Sequence, residues 1–479
     1  MDAKSQRIAK LEAENARLLE IIRAQQRLIA QQADRIAQLE ARIVRQEARI
    51  AQLEKNSNNS SKPPSSDIVK PPKPKPPRGK KRKRGGQPGH AKHERPQFTE
   101  DQIDERLDYE LTDPEARGLR PLPGWHIVQQ VTFSDKPLQI IEHCARRYLD
   151  PATGRIIISP LPPEVAQGGL LGADLSALVA YQKSACHMSY ATIQQFWTDV
   201  FNLPLSRGYL VKVVQKASAA LADPYTEARE AIARAERLGI DETGHKDNGD
   251  RYWTWCFRTD GLTVFHIDGS RGAQVLREVL GETFGGIIGC DYYSAYRAYM
   301  GSSGALVQFC LAHLIRDIRF LAEHGVPRAA RWAEKLLASL KKLFDTLHRR
   351  STLTAAGFAR SMDRIRRAFL KTVRRPPSDA KARALAKRFR GGKARHYFTF
   401  LTTPNIEPTN NLTEQAIRHV VLDRRVTQGT RGDHGRRWCE RAWTVVATCA
   451  QQGRSAFAFL YHAILAYFTG QPAPSLLPS

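Results

Sequence analysis

Short runs of apolar residues between positions 237 and 300 have the length and the β-branched, aromatic character of strands. Four of these runs predict strands, and a helical run is predicted between the third and the fourth: 238–240, 251–257, 262–267, 273–280 (helix) and 286–290. Asp241 follows the first strand run and Asp291 follows the last. Two neighbouring strand ends that each carry a carboxylate can bind a hard cation such as Mg²⁺. The pattern therefore predicts an α/β sheet with a metal site at one edge.

The N-terminal 55 residues have a different period, with apolar residues spaced as in a coiled coil. Across seven heptads only one a position is polar, and the a positions are Ile8, Asn15, Ile22, Ile29, Ile36, Ile43 and Ile50. Three of the seven d positions are glutamine; the d positions are Leu11, Leu18, Gln25, Gln32, Leu39, Gln46 and Leu53. An asparagine at a favours a parallel dimer, and glutamines at d weaken its seam. We expect a homodimer through this helix; a long solvated helix is the alternative.

Residues 56–97 lose all periodicity and are rich in proline, serine and lysine. Such a segment cannot bury a core, so a disordered basic linker is expected. Its basic cluster is Lys80, Lys81, Arg82, Lys83 and Arg84, which we expect to contact DNA phosphates, although a simple extended spacer fits the same composition. Residues 98–165 predict a small β-rich module with strands at 128–133, 140–148 and 156–158.

Residues 166–236 show helical spacing in three runs, at 175–183, 190–201 and 209–221. A short break separates the last two runs, and Ser206 is the expected N-cap of the last helix. The two helices are typical of a helix-turn-helix whose second helix presents Arg207, Tyr209 and Lys212 to DNA. A purely structural helix pair fits the pattern equally well.

The positive charge of the chain is concentrated in two blocks. The formal net charge is +26, from 74 basic and 48 acidic residues. Residues 56–97 contain 12 Lys/Arg and 2 Asp/Glu, and residues 311–399 contain 23 Lys/Arg and 6 Asp/Glu. A solvated surface would spread its charge, so the two blocks indicate two contact regions for a polyanion, most simply nucleic acid. A role in solubility is the alternative.

Seven cysteines are scattered without a CxxC pair, which is typical of buried thiols in a reducing cytosol. No apolar run reaches the roughly 18 residues of a membrane span, and the N-terminus is polar and charged. We therefore expect a cytoplasmic, nucleoid-associated protein without a membrane partner.

A third acid would complete a two-metal site for phosphoryl transfer, and Glu414 is the best candidate. It lies near the start of a helix that runs toward Arg425. If Asn411 is the N-cap, however, Glu414 falls at N3 and forms an Asn-x-x-Glu capping box instead. Glu407 and Asp268 are rival acids, although the setting of Asp268 is typical of a turn.

Glu242 directly follows Asp241, and neighbouring residues of a strand point to opposite faces. At most one of the two should therefore face the metals. Asp241 is preferred because it shares its place at a strand end with Asp291.

Several motifs follow one another as in the insertion-sequence-66 family of bacterial DDE transposases, which the chain resembles over nearly its whole length. These motifs are DETG at 241–244, WTW at 253–255, SR at 270–271, GCDYYSAY at 289–296, CLAH at 310–313 and PTNNLTEQAIR at 408–418. Upstream, NSNNSSKPPSSD at 56–67 and GGQPGH at 85–90 are similar to the N-terminal segment of that family. The order of the motifs is specific, although each alone is weak.

The resemblance implies an RNase H-like mixed-sheet core with a helical insertion, and Asp241, Asp291 and Glu414 as its DDE triad. We then expect eight segments: coiled coil 1–55, linker 56–97, β-rich module 98–165, helical DNA-binding region 166–236, first part of the core 237–300, basic helical insertion 301–399, core completion 400–450, and C-terminal helix and tail 451–479.

The chain departs from the family pattern in two respects. The family commonly has a cysteine-rich zinc module after the linker, whereas residues 98–165 contain only Cys144, so no zinc is expected there. The family often has Glu-Arg where this chain has Glu414 and Gln415; Arg418, one turn later, is the expected substitute and DNA contact. Cys310 and His313 alone do not close a metal site, and packing is their preferred role.

The expected function is that of a transposase, which cleaves transposon ends and joins their 3′-OH to target DNA. Two Mg²⁺ (or Mn²⁺) ions per active site are the expected cofactors of this phosphoryl transfer. Double-stranded DNA, as terminal inverted repeats and target, is the expected partner, together with companion proteins of the same element. The alternatives are an RNase H-like nuclease without strand transfer and a DNA-binding regulator derived from a transposase. A basic scaffold protein is the remaining one.

Overall fold

A computed structural model describes residues 3–53, 97–107, 129, 131, 137–149 and 155–478. The first element is the helix α1, Ala3–Leu53, as the heptads predict. Its described a-position side chains are exposed, for example Ile29 at 64% and Ile36 at 57%. The predicted linker lies outside the described residues, apart from Gln97. None of the described helices is long and apolar enough to cross a membrane.

The chain divides into two structural units, of which the smaller comprises residues 70–161 and 195–204. It contains the antiparallel strands β1, Arg147–Leu149, and β2, Ile156–Ile158. The strand predicted at 140–148 was placed too early, because the observed strand begins only at Arg147. Of the strand predicted at 128–133, only positions 129 and 131 are described, and neither is in a strand.

The larger unit comprises residues 1–69, 162–194 and 205–479. Five helices lie between β2 and the sheet: α2 (Pro163–Gly168), α3 (Ala173–Ser184), α4 (Tyr190–Phe201), α5 (Arg207–Ala220) and α6 (Ala222–Ala233). The second half of α4 belongs to the smaller unit. Ser206 caps α5 as predicted, because its side chain accepts a hydrogen bond from Tyr209 N at 3.1 Å. Helices α3 and α5 pack against the C-terminal helix of the chain, α15 (Ala456–Thr469).

A five-stranded mixed sheet follows, in the spatial order β5-β4-β3-β6-β7. Its strands are β3 (Arg237–Asp247), β4 (Asp250–Arg258), β5 (Thr263–Asp268), β6 (Ile287–Cys290) and β7 (Leu306–Phe309). β3, β4 and β5 are antiparallel, whereas β3, β6 and β7 are parallel. The first four were predicted; β7 was not, because it lies within the segment assigned to the helical insertion.

Helices connect strands of the sheet, pack on it and form the insertion that follows its last strand. Two connect strands, α7 (Ala273–Leu280) and α8 (Ser294–Ser303). The helices of the basic insertion are α9 (Leu311–His324), α10 (Pro327–His348), α11 (Ala355–Val373) and α12 (Ala380–Lys387). Two more pack on the sheet, α13 (Asn411–Thr427) on β3 and β4, and α14 (Gly432–Gln452) on β5. Short 3₁₀ turns lie at Glu100–Gln102, Arg350–Thr352, Lys393–Tyr397 and Thr399–Leu401.

Side chains of α14 close the outer edge of the sheet. An edge strand leaves alternate N–H groups without a strand partner. In β5 these groups donate to three side chains one helical turn apart in sequence: Thr263 N to Thr448 at 3.1 Å, Phe265 N to Thr444 at 3.1 Å and Ile267 N to Glu440 at 2.7 Å. The helix thereby takes the place of a further strand.

Candidate active site

The sheet brings the two predicted aspartates to equivalent positions on neighbouring strands. β3 and β6 run parallel, and Gly239 is paired with Gly289. Asp241 and Asp291 each lie two residues beyond these glycines, so the same register places them side by side. Asp241 is not at a strand end as predicted, because β3 continues to Asp247, whereas Asp291 directly follows the end of β6.

The start of α13 is bound to the middle of β3. Asn410, which precedes the helix, is buried and donates from Nδ2 to the Ile240 carbonyl oxygen at 2.8 Å. Its Oδ1 accepts a hydrogen bond from the Thr413 hydroxyl at 2.8 Å. These bonds place the first turn of α13, with Glu414, beside the strand residue that precedes Asp241.

A glycine at position 239 is required for this close approach. A Cβ there would overlap the Thr413 hydroxyl and would lie 2.9 Å from Asn410 Oδ1. A larger residue would push the helix away from the strand. Gly239 was not recognised as part of the site, although an isolated glycine in a strand is a known sign of close backbone approach.

The three acids form one electrostatic cluster. Burial raises the pKa of Asp241 well above its ordinary value, and the charges of Glu242, Asp291 and Glu414 raise it further. Burial and the charge of Glu242 also raise the pKa of Asp291 to about 7, although its hydrogen bond from Tyr293 N lowers it. Mutual repulsion of this kind is expected where carboxylates converge without a cation between them.

Glu242 is occupied by other partners. It is 3% exposed, and its Oε1 accepts from Arg271 Nε at 2.9 Å and from Nη2 at 2.6 Å. The Tyr296 hydroxyl donates to Oε2. The guanidinium group of Arg271 lies over the rings of Trp253, at 4.3 Å, and Tyr293, at 4.0 Å. Glu242 thus binds an arginine, whereas within the described part of the chain Asp241 forms no ion pair with a basic side chain.

Glu414 is held from the insertion side and does not cap its own helix. Its Oε2 accepts from Arg316 Nη2 at 3.1 Å, and its Oε1 lies 3.4 Å from His313 Nδ1. The capping-box alternative was wrong, because α13 begins at Asn411 with Asn410 as the N-cap residue. Arg316 of α9, and not Arg418, is therefore the cation beside Glu414; only the fold brings α9 and α13 together.

The donor set fits a hard divalent cation. Three carboxylates supply only oxygen ligands, the preference of Mg²⁺ and Mn²⁺. Glu414 Oε1 is buried and has no hydrogen-bond partner, so one ligand atom is available. Cys310 Sγ, His313 and Glu414 also offer ligand atoms within 4.8 Å of one another, so this second set shares Glu414 with the first.

A further cationic group lies beside Asp291. The ring of Tyr292 is covered by the guanidinium groups of Arg297, at 4.7 Å, and Arg388, at 4.8 Å. Arg388 belongs to the insertion and is fixed by Asp317 at 2.8 Å. Sequence spacing did not indicate these two arginines, because they lie 91 positions apart and meet only in the folded chain.

The predicted DNA contacts are distributed over different parts of the chain. Arg207 and Lys212 are exposed on α5, and Arg207 Nε donates to Gln194 at 3.3 Å. Arg418 is exposed on α13. The Tyr209 hydroxyl, which was expected to face DNA, accepts instead from Leu171 N at 3.0 Å. The basic cluster Lys80, Lys81, Arg82, Lys83 and Arg84 lies outside the described residues.

Comparison with known proteins gives one family match in the N-terminal segment and one over the region that contains the three acids. The family model described as Transposase IS66 family matches residues 168–437, more than half of the chain and all three acids. A family of unknown function (DUF6444) matches residues 2–96. The uncharacterized protein y4qI of Sinorhizobium fredii is 26% identical over 277 residues, which cover 52% of this chain and 50% of that protein. The chain thus spans about half the length of this curated relative.

Proposed function

This chain belongs to the Transposase IS66 family, and on that premise we propose that it is a metal-dependent DDE transposase. It would cleave the ends of its element and join their 3′-OH groups to target DNA. The catalytic residues are Asp241, Asp291 and Glu414, on an RNase H-like core.

The observation that carries this proposal is the convergence of three acids from distant parts of the sequence. Asp241 and Asp291 each lie two residues beyond the paired glycines of adjacent parallel strands, and the charges of Asp291 and Glu414 both raise the pKa of Asp241. A cluster of raised carboxylate pKa values is a mark of functional sites. The mixed sheet, with an acid on its central strand and another on the parallel neighbour, is what an RNase H-like core would require.

The three carboxylates would hold two Mg²⁺ or Mn²⁺ ions. Bound there, these ions would supply charge neutralisation at the scissile phosphate and a lowered pKa for the attacking oxygen. Arg316 and His313 keep the Glu414 carboxylate in place, and Arg271 binds the Glu242 carboxylate and partly offsets its charge. This preorganisation is the chain's own contribution to the rate.

Cations around the acids are suited to binding the DNA backbone. Arg297 and Arg388 flank Tyr292 next to Asp291, and the second comes from the basic insertion. Arg207 and Lys212 are exposed on α5 and would contact the duplex at a second place. Phosphate contacts of this kind fix register without reading sequence, and they weaken as the salt concentration rises.

The helix α1 would pair two protomers, so that two transposon ends can be brought together. Its apolar a and d side chains are at least 48% exposed at the positions described: Leu18, Ile22, Ile29, Ile36, Leu39 and Ile43. A stripe of this spacing is buried by a second helix in a parallel coiled coil. The proposed dimer rests on this stripe and on the heptads.

The test is cleavage and joining of DNA that carries the terminal repeats of the element. Asp241→Asn, Asp291→Asn and Glu414→Gln should each abolish both steps, in Mg²⁺ and in Mn²⁺. Glu407→Gln is the matched control, because Glu407 is an exposed acid shortly before the same helix. Strand cleavage that persists in any of the first three variants would remove that residue from the triad.

The same assay separates the other two functions. Cleavage without joined product in the wild type would indicate a nuclease. Binding of the terminal repeats that is unchanged in EDTA, with no cleavage, would indicate a regulator.

A further inference from the structure

A second group of metal-binding side chains lies on the outer strand of the sheet, apart from the three catalytic acids. It consists of His266 and Asp268 of β5 and Glu278 of α7. One ligand atom from each lies within 4.8 Å of the other two. His266 and Asp268 are two positions apart in a strand and so share a face. The group has no part in the proposed mechanism.

Among these three residues, His266 gives the strongest indication that a ligand binds here. It is only 8% exposed, and both of its ring nitrogens are buried without a hydrogen-bond partner. Its Nε2 lies 3.6 Å from Glu278 Oε1. A neutral imidazole has a lone pair on one nitrogen, and a lone pair directed at carboxylates is unfavourable unless a proton or a metal ion lies between them.

A fourth side chain orients the imidazole. Glu440 Oε1 lies 3.1 Å from His266 Nδ1 and is fixed by the hydrogen bond from Ile267 N at 2.7 Å. A carboxylate at Nδ1 selects the tautomer with a proton on Nδ1 and leaves the Nε2 lone pair for a metal. Histidine ligands of zinc are commonly oriented by a carboxylate in this way.

We propose that His266 Nε2, Asp268 and Glu278 bind a divalent transition-metal ion, for which Zn²⁺ is the best-suited probe, with Glu440 as the outer carboxylate. One imidazole and two carboxylates, with open positions for water, are a ligand set that Zn²⁺ accepts. One oxygen of each acid is already engaged: Glu278 Oε1 accepts from Arg229 at 2.8 Å, and Asp268 Oδ1 from Ser270 N at 2.6 Å. Each carboxylate has a second oxygen for the ion.

The ion would fix the loop that leads to the active site. Residues 269–272 connect Asp268 to α7 and include Arg271, the partner of Glu242. An ion at Asp268 and Glu278 would tie the two ends of this connection together. Its role would be structural, and it does not depend on the proposed transposase activity.

The experiment is titration of the full chain with ZnCl₂ after removal of metals by a chelator, followed by calorimetry and by thermal denaturation. Wild type should bind one equivalent of Zn²⁺ that Glu278→Gln and His266→Gln lose or bind at least about tenfold more weakly, and Glu440→Gln should weaken it about 10–100-fold. The gain in melting temperature with Zn²⁺ should shrink in parallel.

Glu282→Gln is the matched control, because Glu282 is an exposed acid just beyond α7 and should bind zinc like wild type. Every variant keeps Asp241 and Cys310, so zinc bound at those residues cancels in the comparison. Glu278 is exposed, which keeps that variant informative if His266→Gln does not fold. Equal zinc binding by wild type and Glu278→Gln would overturn the proposal.

Discussion

Burial of the Asp291 carboxyl group, together with repulsion within the acid cluster, should make the metal-free protein less stable as pH rises, and Asp291→Asn should remove most of this effect. The pKa of Asp291 is raised from 3.8 to about 7 in the folded protein. Between these values the folded state binds a proton that the unfolded state has lost. The stability contributed by this proton is therefore greatest below about pH 4 and is lost as pH rises to 7.

The magnitude follows from the size of the shift. A rise of about three pKa units corresponds to about 4 kcal/mol between the two ends of the pH window. Asparagine at this position is uncharged at every pH. The difference in unfolding free energy, variant minus wild type, should therefore increase by up to about 4 kcal/mol from pH 4 to pH 8.

Urea denaturation in EDTA, followed by tryptophan fluorescence at several pH values, measures this difference. Asp345→Asn serves as the control, since Asp345 is exposed on α10 and should show no such trend. Mg²⁺ at pH 8 should stabilise wild type more than Asp291→Asn, because the ion replaces the proton as counter-charge. A difference between wild type and Asp291→Asn that stays constant from pH 4 to pH 8 would refute the argument.

Substitutions at three further residues test the supports of the site and the dimer. Arg316→Gln, which frees Glu414 Oε2, should slow single-turnover cleavage roughly tenfold to a hundredfold, and Arg316→Lys should restore part of the rate. Asn410→Ala leaves the Ile240 carbonyl without this donor and should lower the unfolding free energy by roughly 1–3 kcal/mol in urea titrations; no loss would mean that water replaces the amide. Ile29→Lys places a charge in the α1 seam and should convert dimer to monomer in sedimentation velocity, and an unchanged sedimentation coefficient would argue against the coiled coil.

Local patterns were sufficient to predict most strands and helices of the core. The helix at 273–280 has the predicted bounds, and the strands β3 to β6 lie where the apolar runs indicate. β3 is longer than predicted, since its end is fixed by distant residues: Asp247 accepts hydrogen bonds from Thr430 at 2.7 Å and from Gly432 N at 2.8 Å. No local pattern contains that information.

The strand β7 shows a second limit of local reading. It has four residues, which are too few for alternation to be recognised, and its pairing partner β6 is separated from it by α8. The contacts that position Glu414 were not predicted either, because they join residues far apart in the sequence. Arg316 reaches Glu414 from a position 98 residues earlier, and Asn410 is bound to Ile240, 170 residues before it.

The position of the insertion explains how Glu414 can lie in one cluster with Asp241 and Asp291 although 123 residues separate it from the second aspartate. The chain leaves the core at Cys310, at the end of β7, and returns at residues 408–410. Leaving and returning segments are joined by two bonds, Leu311 N to the Pro408 carbonyl oxygen at 2.9 Å and Asn410 N to Cys310 Sγ at 3.2 Å.

An insertion with adjacent ends adds chain without displacing the elements on either side of it. The position of Glu414 is therefore set by the sheet, through Asn410 and Gly239. Two parts of the insertion return to the site: α9, which begins at the junction, brings His313 and Arg316 to Glu414, and Arg388 lies over the ring of Tyr292. In the proposed transposase, the first turns of α9 would support the active site, and the basic helices after it would contact DNA.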